Sequence, residues 1–323
     1  MNHAVNPGSD RPELDALTVG EAMALLMACE PLPLAQVGRF ERATAGAELN
    51  VSVGLARLGF KVGYISRLGS DSFGRHLLDF MAAEGIDLRH VQEDARYPTG
   101  FMLKSMALDG SDPEIEYFRR GSAASHMSVG DLPADDAVRQ ARLLHLTGIS
   151  PALSGACHEL VFALAAQARS AGRLVSFDPN LRPRLWPSQA AMVATLNELA
   201  AQADLVLPGL AEGKLLTGRA HAEGIADFYL ARGARQVVVK LGPAGAYYAS
   251  ADESGIAPGR RVERVVDTVG AGDGFAVGVI SALLDGLPLG AAAARGNAIG
   301  ARVVQFRGDC EGLPNRVQLD AAG

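Results

Sequence analysis

Apolar positions along this chain follow two alternating rhythms. Short aliphatic or β-branched runs at 61–68, 143–146, 174–178, 205–207 and 236–240 have the length and bounding residues of buried strands. Longer stretches with helical spacing lie between them. In 46–58 (G-A-E-L-N-V-S-V-G-L-A-R-L) the apolar side is Leu49, Val53, Ala56 and Leu58, and Gly59 ends the run. Asp71 is placed to cap a helix that reaches about Glu84 and is closed by Gly85. Pro151 opens another helix that extends to Ser170, and 276–284 is a small-residue, helix-compatible run. Strands alternating with helices predict a mostly parallel sheet covered by helices.

Four runs depart from that alternation. The stretch 17–26 (L-T-V-G-E-A-M-A-L-L) is a strand broken at Gly20 and Glu21, and 37–43 alternates apolar and charged residues. Runs 100–108 and 114–120 have no helix between them; D-G-S-D-P joins them, which predicts a β-hairpin. With 22–29 and 37–43, this hairpin is expected to form a small antiparallel sheet outside the main layer, a lid that keeps water from a reacting group. In E-Y-F-R-R-G-S (116–122), Tyr117 and Arg119 share one face. A hydroxyl and a guanidinium there suit an acidic sugar. An edge strand guarded by charge is the alternative reading.

Composition narrows the partners. With 48% hydrophobic but only 6% aromatic residues, the core is aliphatic and alanine-rich, as helix-on-sheet packing requires. A net charge of −6 argues against nucleic acid or an anionic membrane as the main partner, so an anionic ligand needs a local basic patch. Cys29, Cys157 and Cys310 are far apart with no C-x-x-C, and read as incidental thiols of a reducing cytosol. No secretory signal or 18-residue apolar span is visible, so the expected location is cytoplasmic. The histidines are scattered without ligand or nucleophile spacing. Residues 1–16 read as a disordered N-terminal tail and 317–323 as a C-terminal tail.

The chemistry concentrates in 265–275 (V-V-D-T-V-G-A-G-D-G-F). A strand-like start runs into glycines at 270, 272 and 274, which permit close approach of the backbone to a ligand. The helix that follows offers unpaired N–H groups and its positive dipole end, which together make an anion site. Asp273 places a carboxylate inside that site. The combination makes sense if Asp273 takes a proton from a hydroxyl attacking a phosphate held by those amides. An ordinary strand-to-helix turn competes with this reading. A dinucleotide fingerprint fails because the third glycine comes one residue early and the segment lies near the C-terminus. A Walker A loop fails too, since the nearest approach, 209–215 (G-L-A-E-G-K-L), is short and lacks the hydroxyl. With an ordinary pKa of about 3.9, Asp273 is expected to be ionised at neutral pH.

D-T-V-G-A-G-D-G-F resembles the C-terminal signature of the ribokinase-like (PfkB) carbohydrate kinases, in which D-x-x-G-A-G-D holds the anion hole and the catalytic Asp. The likeness runs from about 17 to 314. Residues 45–74 are similar to the N-terminal signature, L-G-P-A-G-A (241–246) to a nucleotide-contacting turn, and R-G-D-C-E-G-L-P (307–314) to the closing segment. The resemblance implies a three-layer α/β/α fold over 17–316, with a mostly parallel central sheet and a small antiparallel β lid. It also implies ATP and Mg²⁺. Three fragments, A-G-A-E-L-N, E-Y-F-R-R-G-S-A-A-S and D-P-N-L-R, resemble within that family the kinases of 2-keto-3-deoxygluconate. That likeness implies phosphorylation of the 6-hydroxyl of a small acidic sugar, with Asp273 as base beside Gly270, Ala271 and Gly272. Gly46, Asn50, Tyr117, Arg119 and Arg182 are then expected around the sugar, Asn50 having a helix polar face as its alternative. Asn180, Lys240, Gly242, Gly245 and Asn297 are expected with the nucleotide, and Glu212 on the metal through water.

Two positions depart from the pattern. Gly209 stands where the family carries the Asn of N-x-x-E, and Met102 where the nearest kin place a Tyr on the substrate. Two cations, Arg119 and Arg182, argue for an anionic acceptor over a neutral hexose. Fructokinase, ribokinase or 5-dehydro-2-deoxygluconokinase activity is the alternative within enzymes, and a non-catalytic sugar or nucleotide sensor is the alternative outside them. Exposed apolar residues on the lid (Met23, Leu25, Met102, Phe118) predict a homodimer formed through it.

Overall fold

The computed structural model describes residues 13–107, 112–134 and 136–321. In chain order, β1 (Leu14–Val19) is followed by β2 (Met23–Ala28), β3 (Phe40–Ala45), α1 (Ala47–Arg57), β4 (Val62–Gly69), α2 (Ser72–Ala83) and β5 (Asp87–Asp94). Then come β6 (Phe101–Lys104), β7 (Ile115–Phe118), α3 (Ala137–Gln140), β8 (Ala141–Thr147), α4 (Gly155–Ser170), β9 (Leu174–Asp178), α5 (Gln189–Ala200) and β10 (Leu205–Val206). The remainder is α6 (Leu210–Thr217), α7 (Ala222–Leu230), β11 (Gln236–Lys240), β12 (Gly245–Ser250), β13 (Ser254–Pro258), α8 (Ala271–Leu284), α9 (Leu289–Val303) and α10 (Arg316–Asp320).

A nine-stranded sheet runs in the order β13-β12-β11-β10-β9-β8-β1-β4-β5. It is parallel from β5 through β11, and only the β11–β12–β13 edge is antiparallel. Leu160, Leu164, Leu196 and Ile225 from α4, α5 and α7 cover one face. Leu49, Leu77, Val277 and Ile299 from α1, α2, α8 and α9 cover the other. This is the expected three-layer α/β/α arrangement, with ligands to be sought beyond the carboxyl ends of the parallel strands.

The break at Gly20 and Glu21 is where the chain leaves one sheet for another: β1 pairs with β4 and β8, whereas β2 belongs to a separate four-stranded sheet, β3-β2-β6-β7. The β2–β3 and β6–β7 pairs of this lid are antiparallel, as expected. Its central β2–β6 pair is parallel, because both strands leave the large sheet in the same direction. The tip of the predicted hairpin, 108–111, lies outside the described residues. Met23, Leu25 and Met102 are not exposed, as the dimer expectation required; they form a small core of their own with Met27 and Ala45. Among the described residues of the lid, Tyr117 (42%) and Phe118 (47%) present large exposed rings.

Other local readings shift. Pro151 sits in a 3-10 turn, and α4 starts four residues later, where Ser154 Oγ accepts from Cys157 N. Residues 14–16 belong to β1 and 316–320 to α10, so neither tail is as long as expected. Strand β5, with its charged D-L-R-H-V-Q-E-D, carried no apolar rhythm and was not anticipated. Residues 265–269 are not a strand; the segment docks by backbone bonds from Val266 and Asp267 N to Val304 O.

Candidate active site

A cleft of about 420 Å³ opens between the lid and the carboxyl ends of the parallel strands. On its floor is Asp273, in the first turn of α8. Two amides hold the carboxylate: Asn50 Nδ2 donates to Oδ2 (2.7 Å) and Asn180 Nδ2 to Oδ1 (3.3 Å). Asn50 reaches it because α1 and α8 pack closely at Gly54, where a Cβ would lie 2.5 Å from Val277 Cγ2. Asn180 follows β9 with φ of +39°, a left-handed conformation that the short amide side chain tolerates. Burial pushes the Asp273 carboxyl up to about 7; Asn50 opposes the rise, Asp178 adds to it, Arg182 opposes it, and Asp309 adds to it. The expectation of an ordinary carboxylate, fully ionised at neutral pH, is therefore corrected. The group is poised near neutrality.

Helix α8 begins at Ala271, not after the glycines, and Gly270 is its N-cap with φ of +81°. A side chain at 270 would place its Cβ 2.4 Å from Asp309 O, so Gly alone fits the turn. Gly270, Gly272 and Asp273 all line the cleft. Lys240, at the end of β11, also lines it, with Nζ 2.7 Å from Asp178 Oδ2. Burial works against the Lys240 charge, but the carboxylates of Asp178 and Glu212 outweigh it and hold the ammonium protonated.

The two arginines have different fates. Arg182 Nη1 donates to Leu181 O (2.9 Å) and Asn180 O (3.4 Å), and it has no acidic partner among the described residues. Arg119 is not a second unpaired cation. Its Nε and Nη2 meet Glu21 Oε2 at 2.7 and 2.5 Å, and Ser122 Oγ donates to Glu21 Oε1 (2.5 Å), all of it buried. Glu21 sits where β1 gives way to the lid, and nothing in the sequence linked it to a residue 98 positions away. Tyr117, Gly46 and Met102 line the cleft.

Glu212 lines the cleft from the first turn of α6, and both its oxygens are engaged, accepting from Leu181 N (2.8 Å) and Gly209 N (2.7 Å). Gly242, Gly245 and Asn297 are not among the lining residues. Asn297 Nδ2 instead donates to Ala257 O (2.9 Å) and Pro258 O (3.1 Å), bracing the end of β13. Asp309, Thr268 and Asp112 do line the cleft, and sequence reasoning missed all three. Only the R-G-D-C-E-G-L-P run hinted at Asp309.

A glycine-rich helix start that opens on the cleft, a carboxylate of raised pKa in its first turn and a lid above them suit a phosphotransferase that acts on an alcohol. The profile of the pfkB family of carbohydrate kinases matches residues 14–316. The chain belongs to that family. It is 50% identical, over 95% of its length and 94% of the relative's, to 2-dehydro-3-deoxygluconokinase of Bacillus subtilis (strain 168). The crystal structure of a PfkB protein from Polaromonas sp. JS666 superposes with a TM-score of 0.88 at 52% identity, covering 95% of this chain and 99% of that one. A putative ribokinase II from E. coli in complex with ATP and Mg²⁺ gives 0.88 at 26% identity, covering 96% and 98%.

Proposed function

We propose that the chain transfers the γ-phosphate of ATP to the 6-hydroxyl of 2-keto-3-deoxygluconate, with Asp273 as general base. The observation that carries this reading is Arg182. It is a guanidinium without an acidic partner, lining the same cleft as a carboxylate whose pKa lies near 7. A guanidinium that bonds only to backbone carbonyls, with Asp273 and Asp309 acting on it at longer range, keeps its fork open to an anionic acceptor, and the bidentate fork suits a carboxylate. Half-identity to a 2-dehydro-3-deoxygluconokinase supports the same acceptor. Because Glu21 neutralises Arg119, the charge recognition rests on Arg182, and Arg119 serves to hold the lid strand in place.

In this reading the sugar lies between Gly46, Asn50, Tyr117 and Arg182 with its hydroxyl toward Asp273. Asp273 accepts the hydroxyl proton, and the amides of 270–272 stabilise charge on the transferring group. Lys240 faces the phosphates. Mg²⁺ fits here as a partner of the nucleotide's oxygens, not of a protein cage. No group of three or more acidic, His or Cys side chains placed to hold a metal ion exists among the described residues, and the Glu212 oxygens already accept two amides, which leaves contact through water. When bound, the ion neutralises charge on the phosphate oxygens. The lid sheet excludes water that would otherwise hydrolyse ATP.

The test is ADP production from MgATP with 2-keto-3-deoxygluconate, its galacto epimer, fructose and ribose. Strong preference for the two keto acids is expected, with the epimer ratio reporting what buried Met102 does in place of a Tyr. Turnover confined to a neutral sugar would overturn the role given to Arg182. ATP binding with no turnover on any acceptor would support a sensor.

A further inference from the structure

Lys104 ends β6 of the lid, yet its ammonium is buried. Nζ lies 2.8 Å from Asp267 Oδ2 and 2.8 Å from Asp309 Oδ1, and all three residues are buried. Both acids belong to the wall of the anion hole. Asp267 uses its other oxygen to accept from Val269 N (3.0 Å), shaping the turn that leads into Gly270. Asp309 packs its backbone against Gly270, with the carbonyl oxygen 2.4 Å from where a Cβ would stand. Beyond Lys104 on the same hairpin, Asp112 Oδ1 accepts from Thr268 Oγ1 (2.5 Å). The hairpin therefore grips the segment 267–270 at a buried ionic point and at an exposed one.

Burying an ammonium and two carboxylates is costly, and a well-packed apolar side chain commonly holds a lid strand at least as well. What the charge adds is direction. It draws Asp267 and Asp309 to one point and so sets both sides of the Gly270 turn. We propose that Lys104 is a positioning residue for phosphoryl transfer: an internal cation that joins the lid hairpin to the anion hole, so that the amides of 270–272 take their working geometry when the hairpin is seated. The inference rests on the kinase reading of the anion hole and not on which sugar is the acceptor.

Two variants test it, Lys104→Ala and Lys104→Met/Asp309→Asn, each checked for a cooperative thermal transition. The double variant keeps the cluster's net charge, one carboxylate in place of two carboxylates and an ammonium. In both, kcat is expected to fall about tenfold or more while the sugar KM stays within about threefold, since the loss is of transition-state stabilisation. Added ammonium or methylammonium ions restore part of the turnover of Lys104→Ala by filling the vacated position. In that variant the acid limb of kcat/KM also moves to higher pH. Asp273 is faced by Asp178, Arg182 and Asp309, and Asp309 then carries uncompensated charge. Near-wild-type kcat in either folded variant overturns the proposal. So does a kcat loss in Lys104→Ala that neither responds to ammonium nor moves the pH limb. If Lys104→Ala does not fold, the kcat of the double variant decides. Failure of the sugar assignment would appear separately, as a wild-type enzyme inactive on the keto acids.

Discussion

Replacing Asp273 by Asn is expected to make the protein more stable and nearly inactive at once. The folded carboxyl is raised from 3.8 to about 7, with burial as the main cause. A raised acid pKa means that the folded state binds more protons than the unfolded chain between those two values. Stability from this group is therefore intact below about 4 and is lost as pH rises toward 7. At about 1.4 kcal/mol per unit, the ionised group costs about 4 kcal/mol at pH 8, an upper bound because the cleft admits solvent. Asn is neutral and isosteric and can still accept from Asn50, so the variant escapes most of that cost. For a domain of this size the gain corresponds to roughly 8 °C in Tm at most. Calorimetry on ligand-free wild type and Asp273→Asn from pH 4.5 to 8.5 reads it directly. The two melting curves should nearly coincide at the acid end and separate as pH rises. Turnover of the variant should fall on the order of 10²–10⁴-fold, the range of a lost general base. A difference in Tm that does not change with pH, or a variant less stable at pH 8.5, would refute the argument that burial without compensation raises this carboxyl.

Three further outcomes follow from the same geometry. In wild type the acid limb of kcat/KM should lie near pH 7, falling about tenfold per unit below it, and Asn50→Ala should move it upward because the lost bond favours the ionised form; a limb near pH 4 would contradict the raised pKa. Arg182→Ala should raise the KM for a keto-acid sugar about 10–100-fold, the worth of a charge-assisted bond, with the ATP KM little changed; steady-state kinetics with each substrate varied in turn separates the two. Glu21→Gln should cost about 3 kcal/mol in urea unfolding, since it leaves the buried Arg119 guanidinium without its counter-charge; a loss below about 1 kcal/mol, the worth of a surface pair, would mean that the bridge is not buried in solution.

The layers of the fold were legible because their signals are local. Apolar runs at 174–178 and 236–240 became β9 and β11 with the same bounds, and Asp71 caps α2 as its position required. The glycine-rich turn was legible for the same reason: glycines and an acid within a few residues state their own backbone chemistry, and Gly270, Gly272 and Asp273 line the cleft. Where a signal was weak, the reading failed. Strand β5 is a charged edge strand held by its neighbour β4, and the strand-like 265–269 was drawn instead onto Val304.

What the chain by itself determined is the sheet, the helices that cover it and the turn that carries Asp273. What tertiary structure alone decided is the charge state of the site. Arg119 and Arg182 look alike in sequence, yet Glu21, arriving from the point where the chain leaves the large sheet, forms an ion pair with the first, while the second donates to backbone carbonyls and feels Asp273 and Asp309 only at longer range. Asp273 titrates near neutrality because folding buries it, with Asp178 and Asp309 adding to the rise that Asn50 and Arg182 oppose, and two acids from separate segments converge on the buried Lys104. Periodicity reports which face a residue turns inward, but Coulomb and desolvation energies depend on distances between residues far apart in sequence, and those distances exist only once the chain has folded.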